Sequence, residues 1–132
     1  MAVATIQATL PYDIQKVWDT VTSLENTSWR RDLSSVQVLS PTKFVEYTKE
    51  GYSTTFMITQ TQPCQCWEFD MENDNIEGHW TGIFSHKNGE TTITFTETVA
   101  AKKMLMKPFV KMYLKKQQLA YLSDLKRALA NE

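Results

Sequence analysis

The dipeptide Asn88-Gly89, set in the alternating stretch TGIFSHKNGETTITFTETVA (residues 81–100), constrains this chain more than any other feature. A two-residue type I′ turn requires positive φ at both central positions, which Asn and Gly tolerate best. Such a turn fixes the pairing on either side of it. Lys87 faces Glu90, and the pairs run back as Phe84 with Ile93, Gly82 with Phe95, Trp80 with Glu97, and Gly78 with Val99. Cross-strand partners share a face. One face then carries Phe84, Ile93, Phe95, Trp80 and Val99, with two glycines leaving room beneath large rings. The other carries threonines, His79 and Ile83. The apolar face is the one to bury. One carboxylate, Glu97, lies on it, directly opposite Trp80.

The rest of the chain supplies more strands of the same kind. Residues 3–10 alternate and read as a strand; Pro11 ends it and opens a helix, PYDIQKVWDTVTSL, with Ile14, Val17, Trp18 and Val21 on one stripe. ENTSWRRDLSS reads as a polar connection with a short helical turn. Strands follow at 35–39, 43–48, 52–61, 65–71, 76–86 and 90–100. Ser-Pro, Lys-Glu-Gly, Gln-Pro, Glu-Asn-Asp-Asn and Asn-Gly separate them, all turn chemistry. Six consecutive strands with short links predict an antiparallel meander. The chain closes on an apolar helical pattern of roughly six turns, with Pro108 near its start, where proline is tolerated. Its apolar coverage is wide, which predicts extensive packing. A sheet with one apolar face needs a cover, and only this helix is long enough to supply it. The expected fold is α+β: a curved seven-stranded antiparallel sheet around a long C-terminal helix, with short helices after the first strand.

With 132 residues, a single domain over 1–132 is expected, large enough to bury a substantial core. No apolar run approaches the ~18 residues of a membrane span, and MAVATIQATLPYD lacks the basic leader and apolar core of a signal peptide, so the expected location is cytoplasmic. Cys64 and Cys66 read as i and i+2 of one strand, a spacing poorly suited to a disulfide. No His or further Cys completes a zinc set, so no metal and no cofactor is expected. Nucleophile-elbow, HExxH and phosphate-cradling glycine motifs are missing from the sequence. The net charge of −1 is unevenly spread: residues 102–132 hold eight of the fourteen basic residues and two of the fifteen acids, which makes that segment +6 and the remainder −7.

The element order, together with PYDIQKVWDTVTSLENTSWRRDLSSVQVL, YTKEGYSTTFMIT, WEFDMENDNIEGHWTGIF and GETTITFTETV, resembles the SRPBCC or START-like helix-grip superfamily across nearly the whole chain. That superfamily includes START lipid-transfer domains, the birch pollen allergen family and polyketide cyclase/dehydrase-like proteins. The likeness is greatest to small bacterial members of the last group. TKEGYS holds one glycine where the plant allergen branch has a glycine-rich loop. The resemblance implies a cavity between sheet and last helix that takes a small hydrophobic or amphipathic, lipid- or polyketide-like ligand. Alternation supplies the candidate lining: Phe56 and Ile58, Trp67 and Phe69, Trp80 and Phe84, Ile93 and Phe95, with Phe109, Met112 and Tyr113 from the helix. Plain core packing is the competing reading for each of them.

Three readings of Glu97 stand side by side. It lies near the sheet end, partly solvated or paired with a lysine of the early last helix such as Lys102 or Lys103; it is a polar anchor for an apolar ligand; or it is the acid/base of a cyclase/dehydrase-like reaction. The Trp80 indole and the Tyr113 hydroxyl are its candidate partners. In TSWRRDLSS, Trp29 and Arg30 sit near the implied cavity mouth, either for an anionic headgroup or as a structural Arg-Asp pair with Trp29 plugging the core. The basic helix reads as a solvated face, or as a transient contact with an anionic membrane or an acidic partner. No nucleic-acid motif is present, and no nucleic-acid partner is expected.

Overall fold

A computed structural model describes residues 1–131. The seven strands are β1 (Ala2–Leu10), β2 (Leu33–Ser40), β3 (Lys43–Thr48), β4 (Ser53–Gln62), β5 (Cys66–Glu72), β6 (Ile76–Lys87) and β7 (Glu90–Ala101). They form one antiparallel sheet in the order β1-β7-β6-β5-β4-β3-β2. Helix α1 (Ile14–Thr22) follows β1, and α2 (Val110–Ala130) ends the fold after a 3-10 segment, Met104–Phe109, that contains Pro108. The expected strand-helix-meander-helix order is present.

The hairpin register matches the turn argument pair for pair, from Lys87 with Glu90 through Gly78 with Val99. Asn88 and Gly89 have φ of 54° and 79°, as a primed turn needs. The glycines beneath the rings have a steric reason. A Cβ on Gly82 would lie 2.5 Å from Trp80 Cη2, because the indole folds flat over that glycine. There Trp80 stacks on Phe69 with centroids 4.8 Å apart and planes 3° from parallel, and it meets Phe95 at 4.8 Å. Phe56 and Phe44 extend the ring contacts to β3. The concave face is thus an aromatic row running across five strands.

The outer face is polar and locally satisfied. Thr5 with Thr96, Gln7 with Thr94, and Thr9 with Thr92 bond side chain to side chain across β1 and β7. His79 lies outward, as expected, between Asp70 (2.7 Å) and Glu68 (2.8 Å). The Glu68 bond, followed by Asp70, pushes its imidazole pKa up against partial burial.

Four expectations need correction. Pro11 does not open α1: Asp13 caps it, accepting from the Gln15 amide at 3.0 Å, so the helix starts three residues later. The connection 23–32 forms turns and bends rather than a second helix. Cys64 is not in a strand with Cys66; it occupies the β4–β5 turn with φ of 63°. And α2 does not use its wide apolar surface. It buries one stripe, including Val110, Leu114, Gln118, Leu125 and Leu129, against β1, β7 and α1. Buried Gln118 donates to the Ala4 carbonyl of edge strand β1 at 2.9 Å, covering part of a sheet edge. Lys16 of α1 donates to the Leu129 carbonyl at 2.8 Å, placing a cation at the α2 C-terminus.

Gly82→Ala is expected to destabilise the protein by roughly 1–3 kcal/mol, because the indole cannot shift without losing its stack on Phe69. Urea denaturation followed by Trp fluorescence measures this. An unchanged midpoint would mean that the ring row yields freely.

Candidate functional site

The aromatic row ends in charge. Its last partner is Tyr121 of α2, whose ring meets Phe95 at 6.0 Å and Trp29 at 5.3 Å, both edge to face. Above Tyr121 lies the Arg30 guanidinium, 5.2 Å from the ring centroid, a cation-π arrangement. Arg30 Nη1 donates to Glu46 at 2.7 Å, and Nη2 donates to Asp32 at 3.1 Å and to the second Glu46 oxygen at 3.4 Å. Its Nε is buried with no hydrogen-bond partner among the described residues. Burial alone would lower the guanidinium pKa, but Glu46, Tyr121 and Asp32 overcome it and hold Arg30 charged.

Glu97 faces this cluster from β7, opposite Trp80. It makes no hydrogen bond or ion pair among the described residues. Desolvation raises its pKa from 4.5 to about 7, against the lowering effect of Arg30. The reason is local competition. Arg30 already binds two carboxylates directly, so only its longer-range field reaches Glu97. Tyr121 remains a neutral phenol: burial pushes it far up, Arg30 opposes, and Glu46, Asp32 and Glu97 add to the rise.

The loop that carries Arg30 is held by a second set of ion pairs. Asp124 of α2 is buried and accepts from the Arg31 amide (3.1 Å), from Arg31 Nε (2.7 Å) and from Arg127 (3.2 Å). Burial alone would raise this carboxyl, but these donors hold it below its usual range. Arg127 also donates to the Trp29 carbonyl at 3.3 Å.

The structure gathers some expected site residues and separates others. Phe56, Trp67, Phe69, Trp80, Phe84, Ile93 and Phe95 are buried on the concave face, with Ile58 partly buried beside them. Trp29 packs against this core, and Arg30 pairs with Asp32 and Glu46. Phe109 and Met112 do not face the rows; they are 60% and 67% exposed, because α2 turns its other side to β1 and α1. Tyr113 is also largely exposed. Its hydroxyl accepts from Gln117 rather than engaging Glu97. Partial burial and then the charges of Asp32, Glu50 and Glu97 raise its pKa, with Gln117 opposing, which places it at the rim of the cluster. The expected lysine partner of Glu97 is lost, because Lys102 pairs with Glu72 at 2.7 Å. The Trp80 indole N–H does not reach Glu97 either.

Sequence reasoning missed Glu46 and Tyr121. Glu46 lies two residues from Phe44 on the same face of β3, so the alternation test that found Glu97 applies to it too. Tyr121 lies seven residues after Leu114, two helical turns along the buried stripe. Two surface recesses, of about 310 and 370 Å3, open beside the 23–36 region; one is lined by Leu24, Leu33 and Val36 among others, the other by Trp29 and Arg127. Glu97 lines neither.

A curved antiparallel sheet gripping a C-terminal helix, with an aromatic concave face, defines a START-like helix-grip protein. The chain belongs to the family described as polyketide cyclase / dehydrase and lipid transport, which matches residues 1–130. Solved structures with the same fold include a conserved protein from Geobacillus kaustophilus (10% identity, TM-score 0.84, covering 98% of this chain and 95% of that one). A START superfamily protein from Mycobacterium smegmatis is similar at 12% identity and TM-score 0.84, with 99% of both chains covered. DynU16, from the dynemicin biosynthetic locus, matches at 13% identity and TM-score 0.80; 98% of this chain covers 48% of that one. No curated protein matches the sequence.

The pKa of Glu97 gives a pH dependence of definite sign. The unfolded chain releases this proton near 4.5 and the folded chain near about 7, so stability falls as pH rises between those values. His79, with its raised pKa, contributes a loss in the same direction as pH rises through its folded value. The variant therefore separates them. Glu97→Gln is expected to be more stable than the parent above pH 7, by roughly 1–3 kcal/mol, and to flatten the acidic part of the profile. Denaturation midpoints across pH 4 to 8 would show it; parallel profiles for the two proteins would disprove the raised pKa.

Proposed function

We propose that the protein binds a small hydrophobic or amphipathic molecule, with its apolar body against the aromatic row and a polar group at the Glu97–Arg30 end. The observation that carries this reading is Glu97 itself, a half-buried carboxyl without a hydrogen-bond partner among the described residues, beside stacked aromatic rings. A mostly apolar site with a few placed polar groups is the usual form of a small-molecule pocket. Arg30 Nε supplies a buried donor at the same end. Near neutral pH Glu97 is divided between acid and anion, so it can donate to a carbonyl or accept from a hydroxyl. The family description names lipid transport, which fits burial of a hydrocarbon or polyketide skeleton. Because the rings already touch one another, binding requires them to separate, with Tyr113 and the 23–32 loop at the rim from which a ligand would enter.

A second reading rests on one specific observation. A carboxyl with a pKa of about 7 has the proton affinity of a general acid/base at neutral pH. On a polyketide-like ligand it would shuttle a proton in cyclisation or dehydration, in keeping with the other half of the family description.

Native mass spectrometry of gently purified protein, with organic extraction of what is bound, tests the first reading. A stoichiometric adduct lost on denaturation, and weakened about tenfold or more in Glu97→Gln by loss of a charge-assisted bond, is the expected result. A clean apo mass with no shift across fatty acids, flavonoids and polyketides would refute it. Turnover of a bound polyketide that vanishes in Glu97→Gln while binding persists would instead support the enzyme.

A further inference from the structure

The 3-10 segment and the first half of α2 carry a run of exposed apolar side chains. Met104 is 78% exposed and Leu105 88%, and Phe109, Met112 and Leu119 are 60%, 67% and 64% exposed. Spacings of three and seven residues put Phe109, Met112 and Leu119 in one row of α2, opposite the buried stripe of Val110, Leu114 and Gln118, and the exposed Met104 and Leu105 precede that row in the 3-10 segment. This row is not part of the concave site. Around it, residues 102–118 hold six lysines and no acid. Lys102 is bound to Glu72, while Lys103, Lys107, Lys111, Lys115 and Lys116 are exposed and form no ion pair among the described residues.

We propose that the Met104–Leu119 face docks the protein on an anionic lipid surface. Charge complementarity carries the choice of occupant: this is the one segment whose charge is wholly positive, on a chain otherwise net negative. The chemistry favours lipid over an acidic protein. Every cation here is lysine, a point charge suited to a diffuse anionic surface, whereas specific protein carboxylates are better matched by the arginine fork. The lysine stems can lie along apolar surface with their heads at the phosphate level. The apolar chains project from a narrow ridge and can sink into the acyl boundary, as interfacial helices do. No helix among the described residues is long and apolar enough to cross a membrane. This contact stands independently of the ligand reading, because none of its residues belongs to the Glu97–Arg30 cluster.

The test is vesicle sedimentation of the full chain. Vesicles of phosphatidylcholine alone are compared with vesicles containing phosphatidylglycerol, at low and high salt. Binding is expected only to the anionic vesicles and to fall with salt. Lys107→Gln with Lys111→Gln should weaken partitioning on the order of thirtyfold, from about fivefold per lysine. Leu105→Ser with Phe109→Ser should weaken it about tenfold or more. These side chains are exposed, so the denaturation midpoint should stay near that of the parent. Equal binding to both vesicle types, no binding at low salt, or partitioning indifferent to both variants would overturn the proposal. So would a dimer in analytical ultracentrifugation that the Leu105→Ser/Phe109→Ser variant dissolves, since the occupant would then be a second copy of this chain.

Discussion

Two positive φ angles, at Asn88 and Gly89, set how β6 meets β7, and the concave face follows from that pairing. A strand displaced by one residue would exchange its faces. The threonines of β7 would enter the core and Phe95 would face water. With the register fixed, Trp80 lies over Gly82, Phe69 lies beneath Trp80, and the ring row continues to Phe44. The same register leaves Glu97 beside an indole that offers it no bond. The polar anomaly and the hydrophobic order are thus two results of one turn.

The far end of the face is governed by a shortage of positive charge. One guanidinium meets three carboxylates there, and Glu46 and Asp32 hold it by direct bonds. Glu97 receives only its field and keeps its proton to about pH 7. Arg30 is in turn placed by a loop pinned to α2 through Asp124. Protonation at Glu97 therefore depends on packing contributed by elements distant in sequence. A substitution at Asp124 should disturb the site without touching it, by releasing the loop that presents Arg30.

Much of this was legible because the strands alternate cleanly. Each strand boundary falls within two residues of its sequence expectation, since Gly, Pro, Asn and Asp mark the turns. Glu97 was visible as a break in the alternation. Glu46 breaks β3 in the same way, yet it gains meaning only with Arg30, sixteen residues away, and no local pattern joins the two. The exposed side of α2 was hidden for another reason. A helix apolar on several faces does not announce which face is covered. That was decided by β1 and α1, which meet the stripe of Leu114, Leu125 and Leu129, and so Phe109 and Met112 were left outside.

Solved structures with TM-scores of 0.84 share only 10% and 12% of residues with this chain, so the grip forms from patterning rather than from particular side chains. An apolar residue at position 97 would keep the register and extend the core. Instead the chain retains a half-buried carboxyl and, nearby, a guanidinium nitrogen that have no hydrogen-bond partner among the described residues. The buried Arg30 Nε left without an acceptor costs on the order of 1–3 kcal/mol. The His79 cluster on the outer face carries no such cost, because both ring nitrogens are bonded to carboxylates. Two titratable clusters therefore differ in kind. One is complete within the fold, and the other lacks partners that a bound molecule can supply, which is why the concave end rather than the outer face is read as the site.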